Sequence, residues 1–214
     1  MIWLSLCAFM VTVIAGALVI RRLTGHAARY GEAMPQRFHM GDVPRLGGAA
    51  MLAGVAAAWV LAVLQAYAGD TGSLHTGPWV LVWLLALLPA ALGGIAEDIT
   101  QRLSVRYRLL LTGLSGALAV GFLHMAVPRL GVVALDAWLT TAPWLGIALA
   151  LLAIAGLPHA FNIIDGYNGL AGMVALIVCL ALAHVALQVG DRALAALLVS
   201  TAAATGGFLV WNYP

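Results

Sequence analysis

Apolar residues fall in long unbroken runs, and polar residues are gathered into short stretches between them. Ile2–Ile20 is the first run, stopped by Arg21-Arg22. Leu46–Ala68, Pro78–Ala96, Leu109–Val127, Trp144–Ile164, Leu170–Val189 and Ala193–Trp211 follow it. Each is close to the ~20 apolar residues with which an α-helix crosses about 30 Å of hydrocarbon, so seven membrane-spanning helices are expected. Ala15-Gly16-Ala17 faintly resembles a signal-peptidase site. No basic segment precedes it, and the run is too long for a leader, so it reads as a retained span. Pro128–Ala142 is mixed in character, with Gly131–Leu135 suiting either a short strand or an interfacial segment. The chain stops at Asn212-Tyr213-Pro214, where a Trp-Asn-Tyr-Pro turn would ordinarily lead onward. The expectation is a single transmembrane domain over residues 1–214 that lacks its C-terminal helices.

Composition agrees with lipid as the solvent. The chain is 64% apolar and has only ten basic and eight acidic residues, too few to coat a soluble domain of 214 residues. The fold class expected is therefore all-α and polytopic. A net charge of +2 gives no footing for a nucleic-acid partner. Cys7 and Cys179 sit inside separate apolar runs and read as small buried hydrophobes.

Seven spans assign a side to every connection. If the first span ends in the cytoplasm, that side holds Arg21, Arg22, Arg29, Arg37, Arg45, Arg102, Arg106 and Arg108. The other side holds Arg129 and Arg192 alone. This is the asymmetry of the positive-inside rule. The same count puts Arg37–Gly48, Glu97–Arg108, Ala160–Gly172 and Trp211–Pro214 on one membrane face.

Those stretches carry the candidate chemistry. Asn162, Asp165 and Asn168 recur at intervals of three, a spacing that shares a face in helical geometry. Gly166 and Gly169 permit a tight bend or a close ligand approach. The set suits a polar ligand or a metal ion; a plain connecting loop is the simpler alternative. Glu97-Asp98 closes the third span, where carboxylates oppose the helix dipole and each other, so a compensating cation is needed. Asp98 and Arg102 are four apart, which allows an ordinary ion pair but leaves Glu97 without a partner. Arg102, Arg106 and Arg108 lie at the headgroup level, where they attract anionic lipid and can fork onto a lipid phosphate. Pro44 suits a helix start, and Gly47-Gly48 suits close helix packing. His39 reads as a solvated loop residue, and His159, beside Pro158, reads as structural.

Taken in order, Arg37-Phe38-His39 with Pro44-Arg45-Leu46-Gly47-Gly48, then Gly94-Ile95-Ala96-Glu97-Asp98, then Asn162-Ile163-Ile164-Asp165-Gly166-Tyr167-Asn168-Gly169-Leu170, resemble one family. The chain from Arg37 to Pro214 is similar to the polyprenyl-phosphate N-acetylhexosamine-1-phosphate transferases, the glycosyltransferase 4 family of bacterial cell-envelope enzymes. The resemblance implies transfer of a sugar-1-phosphate from a UDP-N-acetylhexosamine to undecaprenyl phosphate, with release of UMP. It implies Mg²⁺, with Mn²⁺ as a substitute, at the cytoplasmic face of the bacterial inner membrane, and is compatible with a homodimer. Carried over residue by residue, Glu97 and Asp98 match the family's acidic pair and Asp165 an active-site carboxylate. Asn162 matches a position associated with the metal, which Asp98 would share. Asn168 and Asn212 match positions facing the nucleotide, and Arg102 and Arg106 would meet the lipid phosphate.

The chain departs from the family in three places. The usual Asp-Asp is Glu-Asp, and the second Asp of a common Asp-Gly-x-Asp-Gly pattern is Asn168. The family's downstream Gly-Asp metal motif and its His-rich loop would lie beyond Pro214, and a protein ending there is expected to be inactive. Pro-Arg-Leu-Gly-Gly favours the branch that starts O-antigen-like or teichoic-type glycans over the peptidoglycan-precursor branch. A transporter or channel subunit is the alternative from another class. Transporters place ionisable groups near mid-bilayer, whereas these span centres hold no acidic or basic residue, which favours chemistry at the interface.

Overall fold

The computed structural model describes residues 1–27, 46–68, 79–165 and 167–212. Arg37, His39, Pro44, Arg45, Gly166, Tyr213 and Pro214 lie outside the described residues, so the expectations attached to them have no structural counterpart. The described chain is helical without strands: α1 (Ile2–Ala27), α2 (Gly47–Tyr67), α3 (Trp79–Thr100), α4 (Val105–Leu123), α5 (Val133–Thr141), α6 (Pro143–Ile164), α7 (Leu170–Gln188) and α8 (Arg192–Asn212). Helices are what a lipid solvent demands, because each satisfies its own backbone polar groups where no water can.

Among the described residues six helices (α1, α2, α3, α6, α7 and α8) are long and apolar enough to cross a membrane. The protein is thus an all-α, multi-pass membrane protein. The expected fourth span is the exception. Arg106 and Arg108 fall in the opening turn of α4, and the helix stops at Leu123, short of the predicted Val127. His124 there adopts φ 51° and turns the backbone out of the helix. The first span also differs, since Arg21-Arg22 ends the apolar run without ending α1. Arginine is a good helix former, and its long stem reaches toward headgroups while the backbone stays helical. Of the two readings of Gly131–Leu135, the strand does not form, and α5 begins at Val133. Gly131, at φ 77°, turns the chain there. The Asp136 carboxylate then accepts the Leu130 N–H at 2.6 Å, bracing the helix entrance.

Residues 1–80 and 163–214 form one compact unit, and residues 81–162 form another. In the first, α8 packs against α1, α2 and α7. The contacts give each pairing its direction. Gly207 of α8 lies against Phe9 and Thr12 of α1, and Trp211 against Gly16, so these two helices run parallel. Gly172 meets Leu209 and Gly206 meets Leu176, so α7 runs antiparallel to α8. Gly47 meets Phe208, and Trp59 Nε1 donates to Ser200 Oγ at 3.1 Å, so α2 is antiparallel to α8 as well. The starts of α2 and α7 and the end of α8 therefore share one pole of this unit.

Small residues make these approaches possible. A Cβ on Gly207 would stand 2.7 Å from the Phe9 carbonyl oxygen and 3.1 Å from Thr12 Cβ. Gly54 of α2 is hemmed in by Thr12 and by the Ala8 carbonyl oxygen. Packing of this kind drives helix association where the surrounding lipid is as apolar as the side chains.

In the second unit Ala90 N–H of α3 donates to Ser115 Oγ of α4 at 3.0 Å, and Gly93 faces Leu111. Thr112 of α4 meets His159 of α6, Gly116 faces Leu151 and Ile154, and Val127 N–H donates to the Gly146 carbonyl at 3.0 Å. Thus α4 runs antiparallel to both α3 and α6, with the end of α3, the start of α4 and the end of α6 at one pole.

The glycine contacts give a test. Gly207→Val should force α1 and α8 apart and cost about 1–3 kcal/mol, read as a lower thermal midpoint in detergent. Gly113→Ala, where an added Cβ meets nothing within 4 Å, should be neutral or stabilise by up to ~1 kcal/mol.

Candidate active site

The acidic pair sits in the last turn of α3. Gln101 ends that helix at φ 53°, its N–H donating to the Glu97 carbonyl at 2.7 Å. The left-handed residue is a glutamine where glycine is usual, and Thr100 steadies the turn by donating to the Ala96 carbonyl at 2.6 Å. Glu97 and Asp98 are half-buried. Glu97 Oε2 is fully buried and has no hydrogen-bond partner, whereas Asp98 is engaged by a partner.

Continuing the α3–α4 pairing by one turn brings Glu97 level with Arg108. Arg108 is half-buried, and its Nε is likewise fully buried and unpartnered. Two buried groups of opposite charge at one level, each without a hydrogen-bond partner, are uncommon in a native fold. The predicted lipid-facing arginines, Arg102 and Arg106, are exposed. Arg102 lies in the α3–α4 connection and Arg106 in the first turn of α4. Ser104 contributes no side-chain cap, so the opening amides of α4 add positive field beside these guanidinium groups.

Asn162, exposed, belongs to the last turn of α6. The pairing of Thr112 with His159 sets it level with Leu109 of α4. The structure therefore brings Glu97, Asp98, Arg106, Arg108 and Asn162 to one pole of the second unit. Sequence reasoning gave Arg108 only a share in a basic cluster; its partial burial depends on which face of α4 meets α3 and α6.

Asp165, Asn168 and Asn212 belong to the first unit. The three-residue spacing of Asn162, Asp165 and Asn168 does not produce a common helical face. The helix ends at Ile164, Asp165 is non-helical, and Tyr167–Gly169 form a turn. Gly169 takes φ 74°, a conformation costly for any residue with a Cβ, and leads into α7. The motif is a helix end, a turn and a helix start. Asn168 is exposed, and Asp165, also exposed, is engaged by a partner. Gly172, near the start of α7, meets Leu209, close to the end of α8 that carries Asn212. Among the described residues no three His, Cys, Asp or Glu side chains are grouped to hold a metal ion.

The profile of glycosyl transferase family 4 matches residues 80–214. The chain is 25% identical over 204 residues to a Bacillus subtilis (strain 168) protein named a probable undecaprenyl-phosphate N-acetylglucosaminyl 1-phosphate transferase, covering 95% of this chain and 53% of that one. It is 31% identical over 177 residues to a Sulfolobus acidocaldarius protein provisionally named a UDP-N-acetylglucosamine–dolichyl-phosphate N-acetylglucosaminephosphotransferase, covering 80% and 51% of the two chains. It is also 31% identical over 156 residues to the phospho-N-acetylmuramoyl-pentapeptide-transferase of a Synechococcus species, covering 66% and 43%. The chain spans about half the length of the curated relatives it matches. No solved structure matches it.

The shared pole can be tested by labelling. In a background with Cys7 and Cys179 replaced by Ala, cysteines at Asp98 and Asn162 should react with an impermeant maleimide from the same side of sealed vesicles. A cysteine at Arg129, beyond the opposite end of α4, should react only from the other side.

Proposed function

The chain belongs to glycosyl transferase family 4, and on that footing we propose that the complete protein moves a sugar-1-phosphate from a UDP-N-acetylhexosamine to undecaprenyl phosphate at the cytoplasmic face of a bacterial inner membrane. The family match over residues 80–214 carries this reading. The gathering of acidic, amide and guanidinium side chains at helix ends supports it, because that is where water, a nucleotide and a lipid headgroup meet.

In the reaction an oxygen of the lipid phosphate attacks the sugar-linked phosphorus of the donor. A phosphorus–oxygen bond forms, the anhydride bond breaks, and UMP leaves with the bridging oxygen. The lipid phosphate is already ionised at neutral pH, so the protein's work is alignment and charge neutralisation. Arg102 and Arg106, exposed at the α3–α4 connection, would hold the acceptor phosphate by planar forks. Asn168 and Asn212 would each offer an amide donor and acceptor of the kind a uracil edge requires. Asp165 would orient the donor, and Glu97 or Asp98 would take any proton carried by the acceptor.

The donor set fits Mg²⁺. Asp98 and Asn162 supply hard oxygens at one pole, and Mg²⁺ characteristically takes one or two carboxylates and completes its shell with water and phosphate oxygens. The absence of a three-residue cluster among the described residues is compatible with that habit. Bound there, the ion would neutralise charge on the phosphates, and Mn²⁺ would serve in its place.

Names within the family divide between N-acetylglucosamine and N-acetylmuramoyl-pentapeptide donors. The Pro44-Arg45-Leu46-Gly47-Gly48 stretch favours the former, for a glycan of the O-antigen or teichoic type, and the peptidoglycan precursor is the second reading. A panel of UDP-sugars with undecaprenyl phosphate, read as UMP release, separates them.

In the complete protein, Asp98→Asn and Asp165→Asn should each lower UMP release by about 10²-fold or more. Near-normal turnover in both would remove these carboxylates from the reaction. Chelation with EDTA should abolish turnover, and Mg²⁺ or Mn²⁺ should restore it; activity that persists after exhaustive chelation would exclude the metal.

A further inference from the structure

Pro158 lies inside α6 one turn before Asn162. It has no N–H to give the Ile154 carbonyl, and its ring crowds that turn, so the helix is weakened there. On the near side of the break α6 is held to α4 by packing, with Gly116 facing Leu151 and Ile154. On the far side there is a polar tie to α4. His159 Nε2 lies 3.2 Å from Thr112 Oγ1 of α4. Thr112 is only 7% exposed. Its hydroxyl also lies 3.1 Å from the carbonyls of Arg108 and Leu109.

The link does not depend on which ring nitrogen carries the proton. With a proton on Nε2, the ring donates to Thr112 and the hydroxyl donates onward to a carbonyl. With Nε2 bare, the hydroxyl donates to the ring. Either way, the segment of α6 past Pro158 is tied to the turn of α4 that bears Arg108.

We propose that His159 and Thr112 are positioning residues. They clamp α6 across its proline break and so hold Asn162 in register with Arg108 and Glu97. Neither side chain is required to touch substrate. The effect on turnover rests on the transferase reading, while the clamp itself does not. Misplacement of a reacting group by about 1 Å can cost 10²-fold in rate, so a loose α6 end would act on turnover more than on binding.

The test uses the complete protein, with UMP release and amide hydrogen exchange measured on the same variants. His159→Ala and Thr112→Val should each lower kcat about 10- to 100-fold, with KM for the UDP-sugar changing less than about threefold. Exchange across residues 155–165 should speed up in both. Pro158→Ala alone should stay close to the parent protein. Adding Pro158→Ala to His159→Ala should recover most of the rate and slow the exchange again, because an unbroken helix needs no clamp. His159→Gln, which keeps a hydrogen bond to Thr112, should retain most activity.

Parent-like rate and exchange in His159→Ala would overturn the proposal. So would a rate loss that Pro158→Ala fails to repair, since that places the imidazole in the chemistry or in folding at large. If the parent protein released no UMP from any UDP-sugar, the transferase reading would fall and the exchange measurements alone would decide the clamp.

Discussion

Lipid cannot satisfy a hydrogen bond, and this constraint shapes every polar group along the spans. Serine and threonine inside the helices find partners within the protein. Ser115 accepts from the Ala90 amide, Ser200 accepts from the Trp59 indole, and Thr201 and Thr205 donate back to carbonyls one turn earlier. Trp211, near the end of α8, donates to the Val13 carbonyl at 3.0 Å, binding α8 to α1 at the pole that carries Asn212. Glu97 Oε2 and Arg108 Nε break the pattern, both buried near the helix ends at one pole of the second unit. Thr12 Oγ1, buried between α1, α2 and α8, also lacks a partner, and nothing in the structure explains it.

Unlike the polar groups, the small residues have no chemistry of their own and act through distance. Gly207, Gly54 and Gly47 let α8 and α2 approach their neighbours until backbone and side-chain atoms touch. Half of the α8 span is buried in consequence, against 6% of the α6 span. The two helices meet different demands, since α8 is held by shape along its length. By contrast α6 meets α4 through Gly116 and, beyond Pro158, through the hydrogen bond between His159 and Thr112.

The proposed phosphoryl transfer would ask little covalent help of the protein and much alignment. At one pole of the second unit, α3, α4 and α6 each bring polar groups to a helix end, an arrangement suited to that demand because rigid helices fix direction. The Asn162–Gly169 segment shows how such an end is made. A helix runs out at Ile164, a turn closed by left-handed Gly169 follows, and α7 begins at once. Asp165 and Asn168 are thereby presented on non-helical backbone between two spans, in place of the single helical face that their spacing suggested.

Much of this was legible in the chain itself. Hydrophobic runs located six spans within a few residues, because crossing a bilayer depends on length and apolarity, both of which are local properties. The motif around Glu97, Asp98, Asp165 and Asn168 was equally plain, because polar residues between apolar runs stand out. The runs also located α4 but set it at Leu109–Val127, whereas the helix begins with its arginines at Val105 and stops at Leu123. Nor could they show that the basic run Arg21-Arg22 lies within a helix, or decide between a strand and an interfacial segment at Gly131–Leu135. Which arginine turns inward, and that Thr112 meets His159, depend on how helices far apart in sequence rotate against each other. Rotation is decided by the fit of small and large side chains across an interface, and neither helix carries that information alone.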